Sequence, residues 1–126
     1  VYTRQGRLSQ AHDLVAQPME DRTFNARENN RLVASRAMAE AEIAMAEKRW
    51  NGAIDACNTA IKVFKECCHK LWWARQLIDL GDAYLGRDGP GDLDHARETY
   101  KQALDMYTGM GAPGYIRVLE ERLSNL

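Results

Sequence analysis

Residues 65–75, KECCHKLWWAR, hold the side chains best suited to chemistry. Cys67, Cys68 and His69 are ligand types for a soft metal, and the two thiols could act as a redox pair. Trp72 and Trp73 could offer their faces to a cation. Each possibility fails on number or direction. A tetrahedral site wants four converging ligands, whereas neighbours at a helix end diverge, and His12 and His95 are far away in sequence. An aromatic cage wants three convergent rings, and adjacent helical residues point about 100° apart. Packing is therefore the expected role, with one tryptophan filling the core and the other lying at its edge.

Asp88, Asp92 and Asp94 in DGPGDLD raise calcium binding. The regular acidic ladder of a calcium loop, ending in a bidentate glutamate, is missing. The stretch reads as a turn in which Asp92 caps the next helix by accepting its free N–H groups. No glycine-rich phosphate loop, nucleophile elbow, HExxH or GxGxxG occurs. No catalytic residue, metal or cofactor is expected, and the chain is not expected to be an enzyme. Glu40, Glu42 and Glu47, with Arg36 and Lys48 nearby, are read as a solvated helix face.

The charges balance, with 17 Lys and Arg against 18 Asp and Glu, and both signs are mixed along the chain. Nucleic acid and a polybasic membrane surface are poor fits to that pattern. No apolar run reaches the roughly 18 residues of a membrane span, and no signal-peptide pattern opens the sequence. The 3 cysteines are odd in number and clustered, unlike a secreted disulfide framework, so a cytoplasmic location is expected.

The elements that would position these residues are helices. Only Pro18, Pro90 and Pro113 interrupt long stretches rich in Ala, Leu, Glu, Arg, Lys and Met, which lose little rotamer freedom in a helix. The pattern predicts an all-α chain with helices near 8–17, 26–48, 51–68, 71–87, 93–109 and 114–125. Three segments align: GRLSQAHDLV, KRWNGAIDACNTAI and GDLDHARETYKQAL. Ala11, Ala53 and Ala96 fall 42 and then 43 residues apart, each followed four later by Val15, Cys57 or Tyr100. Ala60 and Ala103 continue two of the stripes, and small residues at such positions let helices approach closely.

The spacing Leu77-x2-Leu80-Gly81-x2-Tyr84, then Ala96-x3-Tyr100-x2-Ala103, resembles a tetratricopeptide repeat, an antiparallel helix pair. AMAEAEIA supplies a second copy at Ala37, Glu40, Ala41 and Ala44, and Tyr2, Gly6 and Ala11 match the end of an earlier one. The period is longer than the roughly 34 residues usual for the family. It resembles the long-period form found in scaffolding proteins and in C-terminal parts of multidomain signalling ATPases, cyclases and transcription regulators. The resemblance implies a right-handed α–α superhelix, one domain over 1–126. Its repeats would lie near 1–20, 26–69 and 71–109, with a final helix at 114–126. A fragment of a longer protein is expected, and uncapped end repeats would favour further repeats or a homodimer. A 43-residue shift lays KECCHKLWWAR on TGMGAPGYIRV, which has no cysteine or histidine, so the opening cluster marks a junction between repeats.

The resemblance also implies that the first helix of each pair lines a concave groove for a protein or peptide. The candidate lining is Ser35, Met38, Glu42 and Met45, then Arg75, Ile78, Asp82 and Leu85. Methionine suits an adaptable floor; packing of these residues against a flanking helix is the competing expectation. Members that clamp a partner's C-terminal carboxylate use lysine and asparagine on this face. Glu42 and Asp82 stand there instead, so no such clamp is expected and an apolar segment carrying Lys or Arg fits better. The expected function is a non-catalytic interaction module, or alternatively an effector- or peptide-sensing regulatory domain.

Overall fold

A computed structural model describes the backbone of residues 26–126 and the side chains from Asn29 onward. The helix expected at 8–17, the first repeat and Ala11 lie outside the described residues. The rest forms five helices and, among the described residues, no strand: α1 Ala26–Ala46, α2 Trp50–Glu66, α3 Lys70–Arg87, α4 Asp92–Met110 and α5 Pro113–Ser124. Each packs on the next. No described helix is long and apolar enough to cross a membrane.

Three of the four joints are one turn built from different residues. After α1 the N–H of Arg49 donates to Ala44 O (2.8 Å) and that of Lys48 to Met45 O (3.1 Å). His69 and Cys68 repeat this on Phe64 O (2.9 Å) and Lys65 O (3.2 Å), and Ala112 and Gly111 on Tyr107 O (3.1 Å) and Thr108 O (3.2 Å). The middle residue is left-handed each time, with φ 59° at Lys48, 57° at Cys68 and 66° at Gly111. This closure satisfies carbonyls that the last helical turn leaves open, and only glycine adopts it without a steric cost. Pro113 then opens α5, where its missing N–H costs nothing.

The helices alternate in direction. Ala34 and Ala37, early in α1, cluster with Ala60, Val63 and Phe64, late in α2. Trp50, at the start of α2, lies against Gly86 at the end of α3, where an added Cβ would meet the indole at 2.7 Å. Tyr84, late in α3, faces His95, early in α4, with ring centroids 5.2 Å apart. Between them a Cβ at Gly81 would fall 2.8 Å from Cδ1 and Cζ of Tyr100, so the absence of a side chain sets how closely α3 and α4 approach. Ala53, Ala60, Ala96, Ala103 and Tyr100 have no exposed surface, and Leu77 and Gly81 are buried while Tyr84 is half-buried.

Two sequence expectations are corrected. Glu40, Glu42 and Glu47 do not share a face: Glu40 and Glu47 are exposed beside Arg36 and Arg49, but Glu42 is buried. At about 100° per residue, Glu42 points away from the other two. Asp92 is the first residue of α4 rather than its cap, which is Gly91 at φ 81°. Its carboxylate turns back to accept the Gly89 N–H (2.8 Å) and the Arg87 guanidinium (2.9 and 2.7 Å).

Candidate functional site

The eight residues expected to line a groove divide by depth. Glu42, Met45 and Ile78 are buried, and Met45 and Ile78 belong to the main apolar core. Ser35, Met38, Arg75 and Asp82 are half-buried, and Leu85 is exposed. Met38 also packs against the smaller core formed by α1 and α2. The members of this set that reach the surface are therefore Ser35, Met38, Arg75, Asp82 and Leu85.

Asp82 does not present a bare negative charge. Its Oδ1 accepts from the Tyr100 hydroxyl at 2.5 Å and from Arg122 Nε at 3.0 Å, and its Oδ2 accepts from Arg122 Nη2 at 3.2 Å. Burial, and then the bond to Asp82, push the Tyr100 hydroxyl above its ordinary range, so it stays protonated and donating. The expected pair of repelling acids is thus corrected at Asp82, whose charge is met by Arg122 from α5. One helix turn away Arg75 Nη1 donates to Asp79 Oδ1 at 2.8 Å. Both partners, Asp79 and Arg122, carry a signal in the sequence. Asp79 follows Arg75 by four residues, a helical pairing distance. Arg122 follows Asp79 by 43, the repeat offset that sets α5 beside α3.

Polar groups continue inward from this face. Tyr107 has no exposed surface and stacks on Tyr115 at 4.4 Å and 8°. Burial, then Tyr115, raise its hydroxyl to about 12. Among the described residues, Tyr107 Oη and Gln76 Oε1 are buried without a hydrogen-bond partner. Cys57 lies deeper still, its thiol pushed up by burial and by the negative charges of Asp79 and Glu42, which makes it an inert core residue.

Cys67, Cys68, His69, Trp72 and Trp73 lie at the α2–α3 joint. Cys67 and Cys68 are exposed and unbonded, and His69 caps α3 through its backbone. Trp72 stacks on Phe64 at 6.4 Å, while half-buried Trp73 packs against both cores with Lys65 5.3 Å from its ring centre. Among the described residues no three His, Cys, Asp or Glu side chains are grouped as a metal site requires. Arg87 gathers the opposite end: besides Asp92 it donates to Asn51 Oδ1 at 2.9 Å and lies 5.6 Å from the Tyr84 ring centre. Asp92 there holds a joint together rather than facing a cation.

Comparison with protein-family models, with curated proteins and with solved structures found no match.

Proposed function

We propose that this chain is a non-catalytic protein-interaction module of tetratricopeptide type, a right-handed superhelix of helix pairs working in the cytoplasm. The observation that carries this reading is the Gly81–Tyr100 contact inside one helix pair, together with the Asp82–Arg122 bond that joins α3 to α5 across pairs. The Asp82–Arg122 bond holds α3 and α5, which run in one direction, together, and in a superhelix α1 would extend the same face, along which a protein or peptide would lie. The identical turns at Cys68 and Gly111, 43 residues apart, further support a repeating unit. The contact surface is Ser35, Met38, Arg75, Asp82 and Leu85. Nucleic acid and membrane are not among the partners proposed. Because Asp82 is already paired, the partner is recognised mainly through apolar contact with Met38 and Leu85.

The test is a selection of binding peptides from a random display library, followed by titration against variants. Met38→Glu with Leu85→Glu should weaken the selected peptides at least about tenfold, as loss of apolar anchors does. Undiminished binding to a folded variant would refute the groove.

A sensing domain is the second reading, favoured by the orphaned Gln76 Oε1 and by the orphaned Tyr107 Oη, which Arg75 and Asp79 influence. Such groups suit a small polar effector. A thermal upshift with a small-molecule panel, removed by Gln76→Leu, would support it. No upshift with any member would count against it.

A further inference from the structure

We infer that the end of the stack formed by the α2–α3 and α4–α5 joints is a second docking surface, which takes an acidic peptide segment carrying bulky apolar side chains. It adjoins the groove, since Arg75 follows Leu71 by four residues on α3, but it is carried by its own rings and charges.

Of the exposed large hydrophobic residues, Leu71, Trp72, Met110, Tyr115 and Val118 all lie at this end or in the adjoining turns of α3 and α5. Leu71, Trp72 and Tyr115 are 52 %, 44 % and 40 % exposed, which is costly for side chains of this kind unless something covers them. Trp72 and Tyr115 are equivalent positions under the 43-residue shift, so they stand on the first turns of two helices running the same way. Both rings are backed by an inner ring, Trp72 by Phe64 and Tyr115 by Tyr107. Each is therefore held in place with its outer surface in water, and little ordering entropy is lost when a partner covers it.

Charge selects the partner. Lys62, Lys65, Lys70 and Arg117 lie at this end, and none makes an ion pair among the described residues. Among the described residues Glu66 and Asp105 are the acids near them there. Among the described residues the balance reverses at the opposite end, where Asp55, Asp88 and Glu121 lie and Lys48 is the cation without an ion pair. The described helices are thus polarised along their length, and their basic end coincides with their exposed aromatic residues. Carboxylates spaced between apolar anchors match that surface, and a lysine-rich segment is repelled. A lipid surface fits less well, because insertion needs apolar side chains that reach into the acyl boundary, and these rings lie flat on their inner partners.

The experiment is fluorescence anisotropy with a short labelled peptide of Glu, Asp, Leu and Phe, beside a counterpart with Lys in place of each acid. The acidic peptide should bind and weaken as salt is added. Trp72→Ala with Lys70→Glu should weaken it at least about tenfold, while Leu93→Ser at the far end should leave it unchanged. The groove variant Leu85→Glu, near the far end of α3, should also leave it unchanged, which separates this surface from the groove. All altered residues are at least partly exposed, and circular dichroism verifies that the variants fold. The proposal is overturned by equal binding of the basic peptide or by binding that ignores the Trp72 and Lys70 changes. Capture by phosphatidylserine vesicles without peptide binding would overturn it, as would self-association abolished by Trp72→Ala.

Discussion

Asp92 is almost wholly enclosed, and both its oxygens are taken by Arg87. That pairing, helped by the Gly89 N–H and opposed by burial, holds its carboxyl at about 2, below its ordinary 3.8. A depressed folded value means that the contribution to stability is full above the unfolded value and is lost as pH falls. The joint should therefore weaken between about pH 4 and pH 2, and Arg87→Ala should remove that acid-dependent component. Urea titrations across this range check it; an unchanged acid dependence in the variant would contradict the assignment. The cysteines give a second residue-scale outcome. Cys67 and Cys68 should react promptly with an aromatic disulfide reagent, and Cys57 only after unfolding. A single prompt thiol, or three, would contradict the placement. Residue roles were partly legible. The division between Trp72 and Trp73 follows from helical angle alone, whereas the pairing of Asp92 required knowing how Arg87 folds back over a four-residue loop.

Helix ends obey local rules more than global ones, which is why their positions could be read from composition while their turn conformations could not. Glycine at 111 signals a left-handed closure, but Lys48 and Cys68 adopt the same conformation without any such signal. They do so because the packed helices on either side dictate the turn. That imposition has a cost, so Cys68→Gly should raise stability by about 1 kcal/mol in urea denaturation, and Gly111→Ala should lower it by a similar amount. A destabilised Cys68→Gly would mean that the joint is not strained. The last helix depends on a different contact. Arg122 and Asp82 are 36 % and 21 % exposed, so solvent screens the pair and its worth is at the upper end of surface bridges, about 1 kcal/mol or less. Arg122→Ala should accordingly speed amide exchange in α5 while α2 to α4 remain protected. Uniform acceleration through all helices would show instead that α5 is not a separately held element.

Across the whole molecule, the recurrence of small residues at 42- and 43-residue intervals was legible because backbone approach tolerates few alternatives. Which charges would meet was not, since Asp82 and Arg122 are 40 residues apart and belong to different helix pairs. The same distance hid the end-to-end charge asymmetry, which cancels in any count along the chain. The stacking of hairpins underlies both proposed surfaces, and the Gly81–Tyr100 contact tests it at its tightest point. Gly81→Ala should be introduced alone and in a Tyr100→Leu background, with unfolding free energies measured for all four proteins. Alone it should cost about 1–3 kcal/mol, because the ring is enclosed, anchored by Asp82 and unable to retreat. With the ring gone the cost should vanish or reverse, since alanine is the better helix former by about 1 kcal/mol. An equal cost in both backgrounds would mean that α3 and α4 do not meet there, and the stacked-hairpin account would fail.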